Sequence, residues 1–166
     1  MNYNCIFLLI LSLGVASCNE KVKPIKIDTS KFIKIWHDTI QGYPYQSELK
    51  IKQNYTFEYF SGACTYRSIS EGTWEVKDDT LILNSIPARD CFYLTEFGTL
   101  CKTKEEIEKK WARKKNIVDC EADPEMDYEI FNNEVFYIKS DTLVHKKQNK
   151  ECAGIEFAFS SQLKKD

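Results

Sequence analysis

Two stretches of the chain write the same hairpin, and that repeat limits the fold more than any other feature. Trp74 to Leu83 (WEVKDDTLIL) and Phe136 to His145 (FYIKSDTLVH) share an aromatic residue, a spacer, a branched aliphatic, Lys, a second spacer, and then Asp-Thr-Leu. On the outbound half apolar and polar side chains alternate. A short turn follows, with an Asp able to bond its own backbone, and an apolar Leu lies on the return. Alternation of period two marks a strand with one buried face, because successive side chains of a strand point to opposite sides of the sheet. Two such units about sixty residues apart predict a meander in which one hairpin geometry recurs around a sheet; a solenoid would need more copies.

Other segments obey the same rule. Ser47 to Lys52 (SELKIK) places Leu49 and Ile51 on one face, Gln53-Asn54 turns the chain, and Tyr55 to Phe60 (YTFEYF) returns. Asn132-Asn133 reads as a turn pair tolerant of positive φ, feeding Glu134 to Lys139 (EVFYIK). One helix is expected over about 103–115. Thr103-Lys104-Glu105-Glu106 is a capping box, Glu105/Lys109 and Glu106/Lys110 are i,i+4 pairs, and Lys114-Lys115 closes the last turn. Ile107 and Trp111 would dock that helix on the sheet. The expected class is therefore mainly β: an antiparallel meander forming a small barrel or sandwich, with one docked α-helix, in a single domain over 31–166. Hydrophobic residues at 43% and aromatic residues at 13% suit such a core and exclude a wholly disordered chain. The formal charge of −2, with lysines dispersed among acids, excludes the basic stripe that nucleic-acid binding needs.

Ahead of the domain, Cys5 to Ala16 (CIFLLILSLGVA) is an uncharged apolar run, too short to cross a bilayer, which takes about twenty residues. It ends in Val15-Ala16-Ser17-Cys18, which resembles the bacterial lipobox: a branched aliphatic, two small residues and the cysteine that receives lipid. The resemblance implies cleavage between Ser17 and Cys18, a signal peptide over 1–17 and fatty acid such as palmitate on Cys18. A lipidated tether over 18–30 would then hold the domain to a membrane. Asn19 rather than Asp after the cysteine implies the outer membrane. Within the domain, Leu49 to Leu83, with Gly72-Thr73-Trp74 and the Asp-Thr-Leu return, is similar to small bacterial lipoproteins with lipocalin-like β-barrels.

Export would leave Cys64, Cys91, Cys101, Cys120 and Cys152 in an oxidising compartment. Spacing leaves their pairing open; the favoured bridge is Cys101–Cys120, which brackets the expected helix. No C-x₂-C pair is present to hold zinc, and neither a metal nor a cofactor is expected. Of the two histidines, His145 takes the place of Leu83 in the repeated hairpin and is expected to point inward, where imidazole needs a partner or contacts a ligand. His37 is expected to be exposed. The alternating acids Asp119, Glu121, Asp123, Glu125, Asp127 and Glu129, broken by Pro124, read as a solvated acidic loop. Ser61 to Tyr66 (SGACTY) comes near the Ser-Gly-x-x-Tyr loop with which membrane-bound lysozyme inhibitors, themselves lipoprotein barrels, plug an enzyme cleft; it has one residue more.

No acid, base and nucleophile set stands out, and no phosphate loop, G-x-S-x-G elbow or H-E-x-x-H occurs. The chain is therefore read as non-enzymatic. The first expectation is a lipid-anchored binding module for a small apolar or amphipathic ligand. The alternative is a protein interaction lipoprotein: an inhibitor or immunity partner of an envelope enzyme, or an accessory subunit of an envelope complex. A hollow barrel favours the first and a filled one the second.

Overall fold

The computed structural model describes residues 28–39, 45–98, 114–146 and 157–162. The alternation seen in sequence becomes strands: β1 (Ile35–Asp38), β2 (Tyr45–Ile51), β3 (Thr56–Ala63), β4 (Tyr66–Lys77), β5 (Thr80–Ser85), β6 (Tyr93–Glu96), β7 (Lys114–Lys115), β8 (Met126–Ile130), β9 (Asn132–Lys139), β10 (Thr142–His145) and β11 (Ala158–Ser160). Eight of them, β1–β5 and β9–β11, pair antiparallel in the order β1-β2-β3-β4-β5-β9-β10-β11, and β11 returns to β1. The sheet therefore closes into a barrel, compatible with a lipocalin-like one, and closure removes the free edges that an open sheet exposes.

The repeated hairpins are β4–β5 and β9–β10. Trp74 faces Leu83 across the first and Phe136 faces His145 across the second. Both turns place two consecutive residues at positive φ, Asp78 (48°) and Asp79 (64°), then Ser140 (48°) and Asp141 (60°). That mirror-image turn matches the strands' right-handed twist. These turns close the near end of the barrel together with a 3₁₀ turn, Ser30–Phe32, whose Phe32 is fully buried. Trp36 Nε1 donates to Phe32 O (2.9 Å) and fixes that plug.

Gly72 answers a local demand for space. It lies opposite Phe57, and a Cβ on it would come within 2.1 Å of Asn84 O and 2.5 Å of the Phe57 ring. Only glycine lets that ring lie against β4.

Between β5 and β9 the chain leaves the barrel to build a side sheet. β8 pairs parallel with the first part of β4, through Arg67/Met126, Ser68/Asp127 and Ile69/Tyr128. β6 pairs parallel with β8, and β7 pairs with β6. The Cys91–Cys120 disulfide ties the start of this excursion to the approach of β8.

Several expectations change. Most of the helix expected over 103–115 lies outside the described residues; its closing pair, Lys114-Lys115, is extended and paired with Tyr93 and Leu94. The only helical element among the described residues is the 3₁₀ turn. Asn132-Asn133 is not a turn. Asn133 has φ of 53°, but it sits inside β9 where the register against β5 slips between Leu83 and Asn84, so its positive φ serves a bulge. The favoured Cys101–Cys120 bridge is replaced by Cys91–Cys120, because β6 and β8 are neighbours in the side sheet. Cys64 is a free, exposed thiol. Cys101 and Cys152 lie outside the described residues, as do Ser17 and Cys18.

Candidate functional site

Inward side chains along the barrel change character from one end to the other. Nearer the tight turns they are apolar: Trp36, Leu49, Ile51, Phe57, Trp74, Leu81, Leu83, Phe136, Leu143 and Phe159. Phe97 and Phe131, contributed by the excursion, enter the same core. Their rings form a contiguous stack across the barrel from β3 to β11. Phe57 meets Phe131 (centroids 5.2 Å), Phe131 lies on Phe97 (4.3 Å), Phe97 meets Phe136 (5.8 Å) and Phe136 meets Phe159 (6.2 Å). Dense aromatic contact of this kind stabilises through both burial and edge-to-face geometry.

Toward the far end the inward positions turn polar. Asp38 accepts from the Ser47 amide, and Ser70 and Ser85 share a hydrogen bond (2.7 Å). His145 is inward and buried, as the repeat predicted, and it is satisfied: its Nε2 is hydrogen-bonded to Glu134 Oε2 at 2.6 Å, with Phe97 and Phe136 rings about it. Glu134 is one strand away in β9, which is why the pair forms. His37, expected to be exposed, is half-buried, with its Nδ1 3.7 Å from Glu48 Oε2.

The acidic run divides in two. Asp119 to Glu125 is a loop, but Asp127 and Glu129 belong to β8 and point inward with Phe131, so two of the six acids expected in a solvated loop lie in a strand. Asp127 is almost fully buried and hydrogen-bonded by the Tyr66 hydroxyl. Ser68 Oγ donates to Glu129 Oε2 (3.1 Å). Burial pushes the Glu129 carboxyl up to about 7, and the charges of Asp127 and Glu134 add to the effect against the hydrogen bond from Ser68. The signal for these residues was in the sequence: Asp127, Glu129 and Phe131 alternate in one register. Tyr128, on the opposite face, holds its hydroxyl against the carbonyls of Glu71 (2.9 Å) and Ile86 (2.6 Å). Among the described residues no three His, Cys, Asp or Glu groups are arranged to hold a metal ion.

The second notable region is the outward tip of the β3–β4 hairpin. Cys64, at φ 54°, and Thr65 make the turn. A groove of about 410 Å³ runs beside it, lined by Gln46, Phe60, Gly62, Cys64, Tyr66 and Arg67. A further depression of about 310 Å³ lies on the other side of Arg67, against Asp123, Glu125 and Met126. Phe60 is 44% and Tyr66 38% exposed, high for aromatic rings. The Arg67 backbone is fixed to Glu125 O (2.8 Å), and its guanidinium makes no ion pair with the described residues. Ser61 of the resembling loop is fully buried inside the barrel, so it cannot be the protruding serine of a plug; the exposed chemistry at this tip is aromatic and cationic instead.

No family model, curated protein or solved structure matches the chain.

Proposed function

We propose that this chain is a lipid-anchored envelope protein that works by docking to another envelope protein through the β3–β4 tip, without catalysis. The observation that carries the reading is the ring stack from Phe57 to Phe159, which commits the inward side chains to one another. A ligand inside the barrel would have to part those rings. Recognition then falls to the outer surface, and the tip offers the residue types that anchor interfaces: two exposed aromatic rings and an arginine beside a recess. Arg67 favours a partner that presents a carboxylate, since a guanidinium grips that group through two parallel hydrogen bonds. Anchoring at Cys18 would restrict encounters to the envelope surface.

A photoreactive residue at position 60, with a control at exposed Glu75 near the other end, tests this in cells that make the protein. The expected result is one discrete cross-linked envelope protein from position 60, none from position 75, and loss of the adduct in Arg67→Glu. Absence of an adduct at 60, or the same adducts from both positions, contradicts the reading. The groove's size also suits a small amphipathic ligand, held outside the barrel rather than within it; native mass spectrometry that finds a molecule lost in Arg67→Glu would favour that second reading.

A further inference from the structure

We propose that the short parallel seam between β4 and β8 is a proton-operated latch that holds the root of the β3–β4 tip. Its consequence for docking rests on the function proposed above; the latch itself does not.

The seam joins two kinds of residue. On the β4 side are Tyr66, Arg67 and Ser68, the first residues after the tip. On the β8 side are Asp127, bonded by the Tyr66 hydroxyl, and Glu129, bonded by Ser68 Oγ. Backbone pairing runs only from Arg67/Met126 to Ile69/Tyr128, extended by the bond from the Arg67 amide to Glu125 O. By contrast β3 pairs with β4 from Thr56/Thr73 to Ala63/Tyr66. The tip's own hairpin is therefore firmly paired, and its tie to β8 is short.

The groups facing Glu129 make that tie sensitive to protons. From β8 itself comes Asp127, from β9 Glu134, and from β4 Ser68; Ser85 of β5 lies by its backbone carbonyl. His145 of β10 is bonded to Glu134. The charges acting on Glu129 are thus both negative. With Glu129 protonated, its carboxyl occupies the tier as a neutral hydrogen-bonding group. Once the proton leaves, three carboxylates, those of Asp127, Glu129 and Glu134, share one interior tier, where desolvation and mutual repulsion oppose them. The restraint that yields is the short seam, because moving β8 off β4 lets water reach the charge. The Tyr128 hydroxyl ties the later part of β8 to the carbonyls of Glu71 and Ile86, and the Cys91–Cys120 bridge joins the excursion to itself, so the change is confined to the Arg67 end of the seam and to the tip it steadies.

Amide hydrogen exchange on the whole folded protein, corrected for the intrinsic pH dependence of exchange, tests the latch. Protection at the Arg67, Ile69 and Asp127 amides, whose pairing spans the seam, should fall at least tenfold between pH 5.5 and 8.5, while Glu75 and Ile82 in the β4–β5 hairpin stay constant. In Glu129→Gln the seam should keep its protection at both pH values. Wild-type seam protection that does not change with pH overturns the proposal, whether or not the variant folds, and so does a Glu129→Gln protein that loses protection as wild type does. Because the readout needs no partner, a tip that captures nothing and a seam that never opens are separate results.

Discussion

Among the described residues, Glu129 is the carboxyl that the fold moves furthest from its ordinary range. A carboxyl raised from 4.5 to about 7 is held in its protonated form by the fold, so the folded state binds the extra proton between those values. Stability from this group is therefore fully present below about pH 4.5 and is lost as pH rises through about 7. Glu129→Gln keeps a donor and acceptor at Ser68 but never ionises. It should gain about 2–3 kcal/mol over wild type at pH 8 and little at pH 4, measured by denaturant unfolding at the two pH values. A constant difference across that range would show that the burial of this carboxyl is not what shapes the pH dependence. His145 teaches a related lesson. Its inward position could be read by aligning it with Leu83, yet its partner could not, because Glu134 is brought alongside only by the pairing of β9 with β10.

Among the elements, those with strict alternation bounded by turn residues were legible: β2, β3, the β4–β5 hairpin and the β9–β10 hairpin follow from their own side chains. Elements defined by their neighbours were not. β8 reads as loop because Pro124 and the acidic composition mask its register, and β7 reads as the end of a helix because two lysines carry no strand signal. The disulfide illustrates the same limit: proximity in sequence favoured Cys101 for Cys120, whereas the side sheet brings Cys91 to it with Cα atoms 5.9 Å apart. Closing a loop across a sequence separation of 29 restricts the unfolded chain by about 3–4 kcal/mol in the chain-entropy model. The Cys91→Ser/Cys120→Ser double variant should lose that much in equilibrium unfolding while far-ultraviolet circular dichroism still reports the barrel's strands. A loss below about 1 kcal/mol would mean that the side sheet holds the excursion without the bridge.

For the whole molecule, the meander was readable and its closure was not, since no single strand records that β11 returns to β1. The polar tier was still less legible, being assembled from β4, β5, β8, β9 and β10 at once. Among the described residues, aromatic rings pack across the barrel's core, and the polar groups lie toward its far rim and the hairpin tip beyond it. With Cys18 acylated and the chain before it removed, such a body would stay on a membrane and meet its partners with its outer surface. The most direct test is the mass of the protein extracted gently from its own envelope, taken intact and under native conditions. The account predicts a chain that starts at Cys18, carries two or three acyl chains and retains no small molecule in the barrel. An unacylated chain, a different first residue, or a stoichiometric ligand that survives Arg67→Glu would contradict it.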